Sequence, residues 1–196
     1  MLNEKKILAV IPARAGSKRV PLKNLTLYKV GTEVNTLLGW AIQHAKASKY
    51  IDHTVISSDL PQQALDGPHA EPEWLPRPKF LAGDKTPTEA VLVNVLYACH
   101  GYDYAVLLQP TSPLRTPEDI DRCIEIAVTQ DGVNGLTGCV SYNQSGKRNG
   151  AVYVVKVDHF LEFLSLDAAH HYEMPNDRSL DIDYHWEFNV QVKGPQ

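Results

Sequence analysis

Ile7-Leu8-Ala9-Val10-Ile11-Pro12-Ala13-Arg14-Ala15-Gly16-Ser17-Lys18-Arg19-Val20-Pro21-Leu22-Lys23-Asn24 is the most informative segment of the chain. An apolar run, Ile7 to Ile11, enters a loop with small residues at 13, 15, 16 and 17 and cations at 14, 18, 19 and 23. A buried strand that ends this way is built to cradle phosphate. Small side chains let backbone N–H groups approach an anion, and the cations neutralise its charge. Arg14 can grip two phosphate oxygens as a fork, whereas Lys18 and Lys23 act as mobile point charges. The spacing matches neither the Walker A loop nor the dinucleotide-binding glycine pattern. Taken alone, the same residues also read as a basic surface turn after an edge strand.

Beyond this segment, strand-like and helix-like segments alternate, the pattern of a parallel sheet with crossover helices. Leu37 to Ala47 carries apolar residues at helical spacing. Thr54 to Ser57 reads as a second strand running into Ser58-Asp59. Thr86-Pro87 reads as an N-cap with proline at the first helical position, opening a helix to about Cys99. Tyr104 to Leu108 is a continuous apolar strand with no wet face. Thr116-Pro117-Glu118-Asp119 repeats the helix-start grammar, with two acids favourable in the first turn. Gly135 to Val140 and Ala151 to Val155 are later strands. Residues 60 to 85 hold Pro61, Pro68, Pro72, Pro76 and Pro78 with Gly67 and Gly83, which predicts irregular structure over much of the span. A loop of that length is often functional.

The 196 residues predict one domain with a proper core. A net charge of −4 without long basic runs argues against nucleic acid, so the local cationic loop points to a small anionic ligand. No run approaches the roughly 18 apolar residues of a membrane span, and the first strand follows directly on the N-terminus. Three dispersed cysteines, Cys99, Cys123 and Cys139, read as reduced thiols of a cytoplasmic protein. Of eight histidines, the adjacent His170 and His171 point to opposite faces of a strand. The other six show no metal-ligand spacing.

Two further constellations carry chemistry. Gln109-Pro110-Thr111-Ser112-Pro113-Leu114-Arg115 follows the apolar strand, and ligands gather at the carboxyl ends of strands in open α/β sheets. Thr116 caps the next helix, but Gln109 and Arg115 are not needed for that. Asp181 and Asp183 flank Ile182. On an extended chain they point to one side, about 7 Å apart, and such a pair suits Mg²⁺ carried on a triphosphate. An acidic pair in a surface loop is the plain alternative.

Pro12-Ala13-Arg14-x-Gly16-Ser17-Lys18 with Lys23-Asn24 resembles the signature of the acylneuraminate cytidylyltransferases, also called CMP-sialic acid synthetases. These enzymes activate nine-carbon 3-deoxy-2-keto acids with CTP. Leu108-Gln109-Pro110-Thr111-Ser112-Pro113-Leu114-Arg115 is nearly word for word a motif of the same group, and Asp181-Ile182-Asp183 is similar to its late metal motif. Ser57-Ser58-Asp59, Arg77-Pro78 before Leu81-Ala82 and Asp84, and Arg148-Asn149-Gly150-Ala151-Val152-Tyr153 are weaker matches, in register from Ile7 to about Asn189. Many members carry glycine where this chain has Arg19. Gly-Ser-Lys-Arg resembles the branch acting on sialic-acid relatives such as pseudaminic acid.

The resemblance implies an α/β, Rossmann-like nucleotide-diphospho-sugar transferase fold, a mostly parallel twisted sheet between helices. It implies transfer of CMP from CTP to an ulosonic acid, with release of pyrophosphate. Ala13, Arg14, Ala15, Gly16, Ser17, Lys18, Lys23, Asn24, Ser58 and Asp59 would bind the nucleotide. Gln109, Thr111, Ser112 and Arg148 would address the sugar acid, with Lys147 as another possible partner of its carboxylate. Asp181 and Asp183 would hold Mg²⁺, and Arg14, Lys23, Gln109 and Asp183 would carry catalysis. The other readings are a nucleotidyltransferase using another base or a sugar phosphate, and a non-catalytic nucleotide-binding homologue. Two departures stand out. Only eight residues separate Val140 from Asn149, where sialic acid enzymes carry a long dimerisation arm, so a monomer or a dimer through another surface is expected. His53 stands where relatives often have an arginine near the cytosine, which bears on base selectivity.

Overall fold

The structure, a computed structural model, describes residues 2–62, 72–130, 132–133 and 135–189. Gly67, Pro68 and His69, assigned above to the irregular stretch and to the scattered histidines, lie outside them. Strands β1 (Ile7–Pro12), β4 (His53–Ser58), β5 (Glu73–Pro76) and β6 (Tyr104–Leu107) pair in parallel, in the order β5-β4-β1-β6. The sheet continues through β8 (Arg148–Lys156) and β7 (Cys139–Tyr142) to β9 (His170–Glu173). β8 runs antiparallel to β6 and to β7, and β9 is parallel to β7. Ile7 to Ile11 are all fully buried, as an apolar run without alternation requires of a strand covered on both faces.

Helices α1 (Leu37–Ala47) and α3 (Pro117–Thr129) pack on one face of the sheet around Leu38, Ala41, Ile120 and Ile124. Helix α2 (Thr88–Ala98) packs on the other, with Leu92, Val95 and Leu96 against Leu8, Val10 and Leu107. The helix α1 bounds match the periodic stretch residue for residue. α3 opens with the capping grammar of its sequence: Asp119 N–H donates to Thr116 Oγ1, and Thr116 N–H donates to the Asp119 carboxylate at 2.9 Å. α2 corrects its expectation, because Pro87 stands at the N-cap and no side chain caps the helix. A lost cap costs about 1 kcal/mol, whereas burying each of Val91, Leu92, Val95 and Leu96 contributes about 1.5–3 kcal/mol. Packing therefore sets this helix.

Other corrections concern short elements. β2 (Leu27–Val30) and β3 (Glu33–Thr36) form an antiparallel hairpin that the sequence reading left out. β5 lies inside the proline-dense stretch, where an edge position lets Pro76 end a strand. β7 starts at Cys139 rather than 135, since Gly135 and Gly138 hold φ of +75° and +84°. α4 (Val157–Phe163) and β9 were also missed.

A third apolar cluster sets the position of the late acidic motif. Tyr28, Leu37 and Trp40 enclose the fully buried Ile182, and Trp40 Nε1 donates to the Tyr28 carbonyl at 2.9 Å. The hairpin and α1 thus hold the residue between the two aspartates. None of the three cysteines is in a disulfide. His44 is a packing histidine, its pKa pushed down to about 3 by burial first and Arg115 second.

Candidate active site

The loop after β1 is fixed by its own backbone. Ala13 N–H donates to the Ser57 carbonyl, and Ala15 N–H to the Asp59 carboxylate at 2.7 Å. Ser58 Oγ donates to the Ala13 carbonyl, and Asn24 Nδ2 to the Arg14 carbonyl at 2.9 Å. Ser58 is fully buried and braces the loop, as Asp59 does. Beside Gly16 a Cβ would meet nothing within 4 Å, which leaves the backbone open to an approaching anion.

Arg14, Gly16, Ser17, Lys18, Lys23 and Asn24 line one wall of a cleft of about 470 Å³, and Gln109, Thr111 and Asp183 line its floor. All nine were singled out from sequence. Ala13, Ala15, Ser58, Asp59, Ser112, Asp181 and Arg148 are not among the lining residues. Ala13 and Ser112 are buried, and Arg148 pairs instead with Asp167 and donates to Tyr142 Oη at 3.3 Å. Arg148 thus lies outside this cleft, engaged with Asp167. His53 is not among the residues that line the cleft. It opens β4, about 17 Å along the strand from Ser58 by the usual rise, and pairs with Glu73 at 2.9 Å.

Arg19, noted above as a loop cation, also lines the cleft, as do Thr86 and Thr88, which the sequence does not point to, and Arg77 and Asp84, noted only as family matches. Asp84 could be reached by no local signal, because a 70-residue separation from Arg14 is closed only by the fold. Arg77 is buried, donating to Ser57 Oγ at 3.2 Å and to the Ser57 carbonyl at 2.6 Å. Burial lowers its pKa to about 10, with nearby Arg14 acting the same way, so it stays charged at neutral pH.

Ion pairs divide the cations between two carboxylates. Asp84 takes Arg14 and Lys18, each at 2.7 Å. Asp183 takes Arg19 at 3.0 Å and Lys23 at 3.3 Å, while Lys23 also donates to the Ile182 carbonyl at 2.7 Å. Arg115 is wholly buried and ties the Gln109 turn to β8, donating to Ala151 O at 2.6 Å and Gln109 O at 3.3 Å.

The two late aspartates fit a hard divalent cation. Ile182 N–H donates to the Thr111 carbonyl at 2.8 Å, which seats the motif against the Gln109 turn. A Cβ on Gly150 would lie 3.1 Å from Gln109 Oε1 and 3.4 Å from Asp181 Oδ2, so Gly150 keeps this corner open. Desolvation by the crowded corner raises the Asp181 carboxyl pKa, and the Asp183 charge adds to it. Much of the Asp181 surface still meets solvent, which discounts the desolvation part. Thr111 Oγ1 is buried without a hydrogen bond of proper geometry, yet close enough to Asp181 to pull its pKa the other way. A cation between the two carboxylates relieves their repulsion. Among the described residues no group of three or more His, Cys, Asp and Glu could hold a metal. A pair suffices for Mg²⁺ when phosphates supply further ligands.

A family model described as cytidylyltransferase matches residues 8–159. The chain belongs to the cytidylyltransferase family. It is similar to the CMP-N,N'-diacetyllegionaminic acid synthase of Legionella pneumophila, 38% identical over 127 residues, or 62% of this chain and 53% of that protein. It is 24% identical over 219 residues to the N-acylneuraminate cytidylyltransferase of Escherichia coli O18:K1:H7, or 95% of this chain and 51% of that protein. The chain thus spans about half the length of these curated relatives. The fold is shared with a cytidylyltransferase from Leptospira borgpetersenii, with a TM-score of 0.67, 15% identity, and coverage of 94% of this chain and 84% of that one. The nucleotidyltransferase neighbours bear out the expected Rossmann-like architecture of this cytidylyltransferase. No helix among its described residues is long and apolar enough to cross a membrane.

Proposed function

We propose that this cytidylyltransferase couples CTP to a 3-deoxy-2-ulosonic acid, giving the CMP-sugar and pyrophosphate. One observation carries the reading: a single cleft at the carboxyl ends of β1 and β6 gathers four cations of one loop, two of them paired with Asp183, with Gln109 on its floor. Anion binding, metal binding and a polar acceptor site then lie within reach of one another. The relatives named above, which act on sialic and legionaminic acids by their names, support the substrate class.

In the proposed reaction the anomeric hydroxyl of the sugar attacks the α-phosphorus in line. A new P–O bond forms as the hydroxyl gives its proton to solvent, the bond to the β-phosphate bridging oxygen breaks, and pyrophosphate leaves with the electron pair. The chain supplies little covalent chemistry; positioning and charge neutralisation do most of the acceleration. Arg14, Ser17 and Lys18 hold phosphate oxygens, Lys23 steadies the leaving group, and Asn24 orders the loop toward the nucleoside. Gln109 and Thr111 orient the sugar acid. Asp181 and Asp183 would hold Mg²⁺, which would supply positive charge against the phosphates and acidify a hydroxyl.

Pyrophosphate release is the test. The chain is mixed with Mg²⁺ and CTP, UTP, ATP or GTP in turn, against sialic, legionaminic, pseudaminic and Kdo-type acids. Release with CTP and at least one acid is expected. Equal release with all four triphosphates moves the reading to another nucleotidyltransferase, and none with any pair sinks catalysis by this chain.

A further inference from the structure

Asp84 is the one cleft carboxylate that no step above uses. It lies on the segment between Arg77 and helix α2 and reaches across the cleft to Arg14 Nη1 and Lys18 Nζ, both at 2.7 Å. Both cations line the cleft. The contact is not needed to shape the loop, whose backbone is already tied to Ser57, Asp59 and Asn24. Nor is it buried: the Asp84 side chain is 33% exposed and that of Lys18 is 85% exposed. Ion pairs this open are weak and exchange readily.

We propose that Asp84 is an internal competitor for the phosphate site: it holds Arg14 and Lys18 until a polyphosphate takes them, and takes them back as pyrophosphate leaves. The proposal rests on the reading of this loop as a phosphate cradle. A carboxylate offers one negative charge, whereas a polyphosphate offers several and can fill both donors of the Arg14 fork. The nucleotide therefore wins the exchange on binding. After transfer, the leaving pyrophosphate no longer carries the nucleoside's contacts, and the tethered Asp84 competes against it from a fixed position, as a linked group does. Arg77, buried and charged behind Arg14, makes the return favourable, because Arg14 without a counter-ion would face a like charge. Both cations act on Asp84 strongly enough to hold its carboxyl below the usual range, Lys18 foremost.

The test is calorimetric titration of inorganic pyrophosphate, and of CTP, into the wild-type chain, Asp84→Asn, Asp84→Ser and Asp84→Glu. Removing the charge is expected to tighten pyrophosphate binding about fivefold to tenfold, the scale of open ion pairs. Asp84→Glu, which keeps the charge, is expected to stay within about twofold of wild type. In turnover, pyrophosphate should become a correspondingly stronger product inhibitor of Asp84→Asn. A merely structural role cannot yield a gain in affinity. Unchanged or weaker binding in both neutral variants, with wild type binding normally, overturns the competitor role alone. Failure of every protein to bind pyrophosphate and CTP overturns the phosphate cradle, and the competitor with it. Melting curves show whether each variant is folded, and the serine variant decides the matter if the asparagine variant is not.

Discussion

Lys23 Nζ bonds the Ile182 carbonyl at 2.7 Å and the Asp183 carboxylate at 3.3 Å, joining the loop after β1 to a segment 159 residues further along the chain. The Lys23 side chain is only 14% exposed, so this bond is better shielded than the other ion pairs of the cleft. It fixes the distance between the phosphate loop and the acids that would carry the metal.

Asp183→Asn should therefore lose Mg²⁺-dependent turnover by about 10²–10³-fold, the scale of removing one electrostatic stabiliser of a transition state. Far-ultraviolet circular dichroism should be unchanged, because Ile182 and its cluster keep the segment seated. Near-normal pyrophosphate release across a Mg²⁺ titration would withdraw Asp183 from the metal site.

Gly150 offers a second handle on the same corner. Its φ of +74° disfavours any side chain, at about 1–2 kcal/mol. A methyl group would also crowd Gln109 and Asp181. Gly150→Ala should lower stability by about that amount and reduce kcat/KM by a larger factor than the loss of folded protein explains. A lower melting temperature with unchanged kcat/KM at a temperature where the variant is fully folded would assign Gly150 to the fold alone.

What was legible in the sequence was whatever is written locally. The unbroken apolar run Ile7 to Ile11, the helical spacing of Leu37 to Ala47 and the Thr116 capping box each name their structure, because burial on two faces, amphipathicity and capping act over a few residues. The short hairpin β2–β3 and strand β9 carry no such run, and they form because tertiary neighbours pair with them. The cleft divides the same way. Arg14, Lys23 and Gln109 announce themselves at strand ends, whereas Asp84 and Arg77 enter through a proline-dense segment without periodicity. The bond of Ser58 to the Ala13 carbonyl was not legible, because a hydroxyl at a strand end reads alike whether it faces a ligand or the backbone.

Asp119 provides a pH prediction. Wholly buried, it bonds Arg178 at 2.8 and 3.0 Å, Tyr172 Oη at 2.8 Å and Thr116 N–H at 2.9 Å. Burial works against its charge, but Arg178, the Thr116 amide and Tyr172 together hold its pKa below the usual value. A folded pKa lower than the unfolded one gives stability that is complete above the unfolded value of about 3.9 and is lost as pH falls through the folded value. Arg178→Met should cost about 3 kcal/mol at neutral pH, the low end for breaking a buried pair, since Arg178 is itself partly exposed. Denaturant melts from pH 7 to 3 should show wild type losing stability below pH 4 and the gap to Arg178→Met narrowing there. A constant gap would mean that Asp119 keeps its charge in both proteins.

The link between β7 and β8 bears on assembly. Residues 143–147 close a tight turn in which Asn143 Oδ1 accepts from Ser145 N–H at 3.1 Å, Ser145 Oγ at 2.7 Å and Lys147 N–H at 2.9 Å. Gly146 completes it with a φ of +75°. Its polar groups are spent on itself, and five residues span under about 18 Å even if stretched. Such a turn cannot reach a second subunit's cleft in the manner of a long arm. Light scattering should give the mass of one chain, or of a dimer whose contacts lie elsewhere. Replacing Gln144 and Ser145 with glycine should leave that mass unchanged and cost only local stability, because the swap removes the Ser145 Oγ bond without touching the sheet. A change in association state after this replacement would show that the turn itself makes the interface.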